Sequence, residues 1–200
     1  MKFDEAYWTE KYKQQSIGWD TGSITTPLKE YFAQLEKNDI RILVPGCGYG
    51  HEVRYLHDSG FTNVTVIDIS PEPFTELIDS CPNWSRESFI VGDFFAHSGQ
   101  YDLIVEQTFL SALDPELRPI YSQKMHDLLA IDGKLVGVLF KEFLSSDGPP
   151  FGGRKEEYVE FFKDKFNIKV FDDCYNSIRP RKGAELFINL IKQEVTNTST

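Results

Sequence analysis

Cysteine is scarce in this chain: Cys47, Cys81 and Cys174 are odd in number and far apart in sequence. That excludes a disulfide framework and fits free thiols in a reducing compartment, each a small apolar filler. Histidine is nearly as rare. His51, His57, His97 and His126 form no i,i+4 pair and have no companion cysteines, so no metal site is expected. Positive charge is in deficit, with 21 basic against 31 acidic side chains and a formal charge of -10. So acidic a chain is repelled by phosphate backbones unless it carries a basic stripe, and its one cluster, Arg179, Arg181 and Lys182, is too small for that. Nucleic acid is therefore not an expected partner. Long apolar runs are missing too, and the first residues include Lys2, Asp4 and Glu5. Neither a membrane span nor a signal peptide is expected, and the chain reads as cytoplasmic. What is there is 200 residues, 40% of them apolar, enough for the core of one domain.

The strongest local pattern is Leu43-Val44-Pro45-Gly46-Cys47-Gly48-Tyr49-Gly50, where an apolar run gives way to a helical one. Ile40, Ile42, Leu43 and Val44 read as a buried parallel strand, and Val53 and Leu56 open an apolar helix face. A strand, a glycine turn and a helix bring backbone close to a ligand and aim the free amides of a helix N-terminus at an anionic group. An ordinary βα loop has the same spacing. Asp68 tips the balance: it closes the next predicted strand, 63–69, about 20 residues beyond the glycines, where a carboxylate can grip a ribose diol. The dinucleotide fingerprint G-x-G-x-x-G requires glycine where His51 stands, whereas Gly46, Gly48 and Gly50 make G-x-G-x-G. That spacing points to S-adenosylmethionine rather than NAD, leaving a nucleotide oxidoreductase as the alternative.

Elsewhere the spacing predicts a helix over 4–15, with Tyr7, Trp8 and Tyr12 crowding one side, and a second from Thr26-Pro27 to about Lys37 that buries Leu28, Phe32 and Leu35. Residues 1–38 thus form a lid-like cap. A helix over 50–59 is closed by Gly60, another opens at Ser70-Pro71 and carries Phe74, Leu77 and Ile78, and a strand over 88–91 leads into the loop Gly92-Asp93-Phe94-Phe95. Residues 101–107 form the next strand. The most periodic helix, capped at Asp114-Pro115-Glu116, sets Leu117, Ile120, Tyr121, Leu128 and Leu129 on one face, with Pro119 bending its first turns. Gly133 precedes a strand over 134–140, residues 146–153 make a rigid loop, and 154–165 is the last helix. The runs 166–172 and 185–192 are strands with no helix between them, hence an antiparallel pair, and 193–200 is a polar tail, frayed from 195. This alternation predicts an α/β fold: one Rossmann-like, doubly wound, seven-stranded, mostly parallel sheet over 39–192 with its site at the carboxyl ends of the strands.

With the glycine turn, Asp68 and Asp93 in place, the chain resembles the class I S-adenosylmethionine-dependent methyltransferases. Within them it is most similar to the thiopurine S-methyltransferase family, especially its branch of plant and microbial halide and thiol methyltransferases. The likeness runs from Trp8 to about Ile191 through an ordered set of stretches: Ile17-Gly18-Trp19-Asp20, Thr26-Pro27-Leu28, Val44-Pro45-Gly46-Cys47-Gly48, Asp68-Ile69-Ser70, 109–119, Gly148-Pro149-Pro150-Phe151 and Arg181-Lys182-Gly183. Val44 stands where most class I members carry an acidic residue, a loss this family shares. Two departures concern the acceptor: Glu106-Gln107 stands where the plant branch has Asp-Tyr, and Phe140 where the family has an aromatic hydroxyl.

The resemblance implies a site. Gly46, Gly48 and Gly50 let backbone pass the methionine half of S-adenosylmethionine, while Asp68 accepts from both ribose hydroxyls, unless it is a helix-start aspartate. Asp93 meets the adenine amino group and Phe94 and Ile69 sandwich the ring, with a plain turn at Gly92-Asp93 as the alternative. Glu106 either contacts the methionine portion or is buried with a structural partner. Trp8, Tyr12 and Trp19 close over the sulfonium, to which aromatic faces are attracted, or are core. Arg118 lies near the acceptor and Arg181 at the rim, or both are surface charge. The implied chemistry is in-line displacement by a thiolate, sulfide or halide, leaving S-adenosylhomocysteine. Such nucleophiles demand no general base, so alignment and exclusion of water are the enzyme's contribution. The same scaffold could methylate a thiopurine, carboxylate or hydroxyl, or serve as a cofactor-binding regulator without turnover. The expected partner is a small-molecule acceptor, and the chain is expected to be a monomer or weak oligomer.

Overall fold

In a computed structural model, which describes residues 3–194, the apolar runs become seven strands of one sheet. They are β1 (Ile42–Pro45), β2 (Val64–Asp68), β3 (Phe89–Val91), β4 (Tyr101–Gln107), β5 (Leu129–Phe140), β6 (Phe166–Asp173) and β7 (Glu185–Lys192). The order across the sheet is β3-β2-β1-β4-β5-β7-β6. β1 to β5 run parallel, and β7 lies antiparallel between β5 and β6. Lys2 and the frayed tail expected over 195–200 lie outside the described residues.

Alternation along each strand explains why both faces of the sheet are covered. Leu43, Ile67, Ile104 and Leu135 point to one side, where α5 (Arg118–Leu128) and α6 (Lys155–Phe162) add Tyr121, Met125, Tyr158 and Phe162. Ile42, Val66, Val105 and Val136 point to the other, against Leu28 and Phe32 of α2 (Thr26–Phe32), Val53 and Leu56 of α3 (His51–Asp58) and Leu77 of α4 (Phe74–Ser80). Each such side chain contributes roughly 1.5–3 kcal/mol by leaving water. α1 (Glu5–Lys13) lies outside these layers, capped by Asp4, which accepts from the Tyr7 amide. Among the described residues no helix is long and apolar enough to cross a membrane.

Several local expectations differ from what is found. Thr25, not Thr26, precedes α2, which ends at Phe32 rather than near Lys37. Thr25 is extended, and its hydroxyl donates to Gln107 instead of capping the helix. α4 begins at Phe74, after turns from Ser70. Asp114-Pro115 opens a 3-10 turn, Pro115–Leu117, and Pro119 falls in the first turn of α5, where its missing N–H disturbs nothing. Ile120 is 55% exposed, because the buried stripe of α5 runs through Arg118, Tyr121, Met125 and Leu128, and one residue is about 100° of helix. Leu129 belongs to β5, which includes Gly133. The sheet tolerates this through a register shift opposite Tyr101 and Leu103, with Asp132 left-handed at φ 60°.

Candidate active site

The order of strands reverses beside β1, between β2 on one side and β4 on the other. In doubly wound sheets a crevice opens at that point, at the carboxyl ends of the strands. Here it is a cleft of about 600 Å³, walled by α1, the glycine turn, the ends of β2, β4 and β5, and two loops around Pro149-Pro150 and Pro180-Arg181.

The turn after β1 needs glycine at three positions for its backbone conformation. Gly46, Gly48 and Gly50 have φ of 59°, 55° and 70°. A Cβ on Gly46 would sit 2.2 Å from the ring of Phe109, so a residue there would be strained and would also collide. Gly50 is the N-cap of α3 and packs on Leu77 away from the cleft. Its role is to turn the chain into the helix.

Asp68 ends β2 on the cleft wall, only 7% exposed. Its Oδ1 accepts from the Ser70 amide at 2.9 Å, the Gly48 amide also donates to the carboxylate, and the Cys47 thiol approaches Oδ2 at 3.9 Å. No cation pairs with it among the described residues. Burial therefore raises its pKa to about 6, against the pull of those amides. Beside Asp68, burial and the carboxylate hold the Tyr12 phenol neutral, and the buried Cys47 thiol is likewise pushed up and kept from ionising. The Asp93 carboxylate, just past the end of the neighbouring strand β3, accepts from the Phe95 amide at 2.8 Å and caps the 3-10 turn Phe94–Ala96. Gly92, Ile69 and Phe94 line the cleft next to it. Phe94 also packs edge-on against Phe109, centroids 5.2 Å apart.

Over these groups lies an aromatic strap. Trp19 meets both Trp8 and Tyr12 edge-on at 5.5 Å, and Tyr12 meets Tyr49 at 5.7 Å. The strap is tied down from the far end of the chain: Arg181 Nη2 donates to the Trp19 carbonyl at 2.7 Å, and Nη1 reaches Glu185 at 3.3 Å. Its guanidinium stacks over the Phe140 ring at 5.1 Å. Asp20 pairs with His51 at 2.7 Å, Thr25 with Gln107 at 2.9 Å and Thr9 with Ser70 at 2.9 Å.

Ten of the residues expected to bind the cofactor are brought together here: Trp8, Tyr12, Trp19, Gly46, Gly48, Asp68, Ile69, Gly92, Asp93 and Phe94. Of those expected beside the acceptor, Phe140 and Arg181 line the cleft. Three positions are not on its wall. Gly50 caps a helix. Arg118 is buried on α5, its guanidinium held by Glu157 at 2.5 Å and the Gly152 carbonyl at 2.7 Å, over the ring of Tyr158. It braces the loop that ends in Gly152. Glu106 is wholly buried, accepting from the Tyr121 hydroxyl and from the Leu110 amide at 3.2 Å. It anchors the 3-10 turn Phe109–Ala112, entered through left-handed Thr108, and so carries Phe109 to the cleft. Burial raises the Glu106 pKa to about 7. Sequence reasoning gives Phe109 and Lys11 no role, yet both line the cleft. For Lys11 the available signal was its place one turn after Tyr7.

The buried carboxylate with no counter-cation among the described residues, the left-handed glycine backbone on the cleft wall at Gly46 and Gly48, and the aromatic strap fit an adenosyl cofactor carrying a sulfonium. Comparison with known proteins agrees. The family described as Thiopurine S-methyltransferase (TPMT) matches residues 3–198. A probable thiol methyltransferase 2 from Arabidopsis thaliana is 31% identical over 184 residues, covering 89% of this chain and 81% of that protein. Thiocyanate methyltransferase 1 from Brassica oleracea is 30% identical, covering 91% and 83%. The crystal structure of a Burkholderia thailandensis 1,6-didemethyltoxoflavin-N1-methyltransferase with bound S-adenosylhomocysteine superposes with a TM-score of 0.76 at 18% identity, covering 95% and 87%. It shares the fold.

Proposed function

The chain belongs to the thiopurine S-methyltransferase family and is an S-adenosylmethionine-dependent methyltransferase, and from this premise we propose that its acceptor is a small soft nucleophile, a thiol above all, with sulfide or halide as the simplest cases. One observation carries the choice. The cleft wall has no histidine, cysteine or glutamate among the described residues, and its only carboxylates are Asp68 and Asp93, on the cofactor side. An alcohol or amine needs a base to take its proton. A thiolate or halide arrives ready to react.

When bound, the cofactor supplies a methyl group on positively charged sulfur, which the nucleophile displaces in line. Asp68 accepts the ribose hydroxyls, and Asp93, Ile69 and Phe94 hold the adenine. Trp8, Tyr12 and Trp19 would hold the sulfonium among aromatic rings, an attraction of ~0.5–2 kcal/mol where a ring face meets the cation. Gly46 and Gly48 let backbone approach the amino-acid end. Phe109 and Phe140 line the acceptor half with apolar surface, stripping water from a soft anion and raising its reactivity. Arg181 holds the strap shut through Trp19, and Glu106 and Arg118 act at one remove as positioning residues for Phe109 and for the loop ending in Gly152. The three thiols, all free and buried, support a reducing, cytoplasmic setting.

Incubation with labelled S-adenosylmethionine and a panel of thiols, bisulfide, iodide, thiocyanate, thiopurines, alcohols and carboxylates tests this reading. Methylated sulfur or halide products are expected. Methylation of hydroxyl or carboxyl compounds alone would overturn the acceptor assignment, and tight S-adenosylhomocysteine binding with no turnover would favour a regulatory role.

A further inference from the structure

The acceptor half of the cleft holds two cations, and they differ in their partners. Arg181 is neutralised by buried Glu185 and spends its other nitrogen on the Trp19 carbonyl. Lys11 is half-buried on the cleft wall, and among the described residues no carboxylate lies within ion-pair range of it; its ammonium rests over the ring of Tyr7, 5.5 Å from the centroid. Contacts of α1 fix which end of the cleft this is. Thr9 and Lys13, on one side of the helix, reach Ser70 and Glu72 beyond Asp68, towards the cofactor. Tyr7 lies on the other side and meets Phe3, which in turn packs on Phe151 next to Pro149-Pro150. Lys11 falls about 40° of helix from Tyr7, over the acceptor wall. It is a cation without an ion-pair partner among the described residues, on the wall of a cleft lined mainly by apolar side chains, in a molecule of formal charge -10.

We propose that Lys11 is a specificity-determining residue that binds a carboxylate carried by the acceptor, remote from its nucleophilic sulfur, so that the preferred substrates are small mercaptocarboxylates. This rests on the thiol methyltransferase reading above. Burying such a carboxylate against an apolar wall requires a charge partner, and Lys11 is the cation there with none. The reacting sulfur is served by the cofactor's own positive charge and does not need Lys11.

The test compares 3-mercaptopropionate with its methyl ester in the wild type, Lys11→Met and Lys11→Arg. Methionine keeps the stem over Tyr7 and removes the charge. Unchanged affinity for S-adenosylhomocysteine serves as the control for folding. The ratio of kcat/KM for acid over ester is expected to fall about tenfold in Lys11→Met, through KM, the size of a hydrogen-bonded charge contact, and to recover largely in Lys11→Arg. Raising salt should erode the same ratio in the wild type. Equal effects on acid and ester would overturn the assignment. If neither compound is methylated, the thiol reading is decided by the acceptor panel, and Lys11 is judged separately by calorimetry of 3-mercaptopropionate binding to the S-adenosylhomocysteine complex. Equal affinity in wild type and Lys11→Met would then overturn it.

Discussion

Asp68 and Glu106 are both buried carboxyls at strand ends, and the groups around them give them different tasks. Asp68 keeps one side on the cleft and is satisfied only by amides and a thiol, so it has capacity left for a ligand's hydroxyls. Asp68→Ala should weaken S-adenosylhomocysteine binding by ~1.5–3 kcal/mol, as read by calorimetry, the range for hydrogen bonds to a charged group. With its pKa raised to about 6, affinity should fall by up to about tenfold per pH unit as the pH drops below that value and the acceptor oxygens are protonated. Affinity flat from pH 7 to 5 would place the ribose elsewhere. For stability the sign is opposite. Asp68 and Glu106 have folded pKa values of about 6 and about 7, above their ordinary 3.8 and 4.5. The folded state thus holds their protons more tightly than the unfolded one. Their contribution is complete below the ordinary values and is lost as pH rises through about 6 and about 7. The melting temperature of Glu106→Gln should accordingly decline less between pH 5 and 8 than that of the wild type.

The glycine turn and the strap are where pieces of chain constrain one another. Gly46→Ala should cost well over ~1 kcal/mol, because it adds left-handed strain to a clash with Phe109. In the Phe109→Ala background the penalty should shrink to the strain alone, a coupling that denaturant melts of the four proteins would measure. Arg181→Met leaves Glu185 charged and buried, which should destabilise by about 3–5 kcal/mol. Adding Glu185→Gln should restore much of that stability. It should not restore turnover, since the Trp19 carbonyl still lacks its donor. Recovery of activity along with stability would show that the tie to the strap is dispensable. Replacing Trp19 by Ala should impair turnover more than melting temperature.

These elements also mark how far the linear sequence could be read. The strands were legible because each alternates or runs apolar within a few residues, and the glycine turn because its requirement is local backbone geometry. Glu106 and Arg118 were visible as charges but not as braces: their partners, Tyr121 and Glu157, are 15 and 39 residues away and become neighbours only when α5 packs on the sheet and on α6. The left-handed Thr108 that steers Phe109 carries no mark in sequence, as threonine rarely adopts that conformation. Ile120 misled because an apolar residue on an amphipathic helix need not be on its buried side.

Across the whole molecule, two apolar cores share one sheet, and polar ties join Trp19 and Glu30 to the connection between β6 and β7. A single cooperative unfolding transition is expected in calorimetry. S-adenosylhomocysteine at about 100 times its Kd should add ~2.7 kcal/mol, raising the melting temperature by about 5–10 °C for a chain of this size. Two separated transitions, with only one shifted by ligand, would mean that the strap and the core fold independently.

The bond from Arg181 to Trp19 spans 162 positions of chain. A polypeptide is made from its N-terminus and its early segments leave the ribosome first. The lid is therefore translated long before its fastener, and nascent chains must wait for the final hairpin before they can retain a nucleoside.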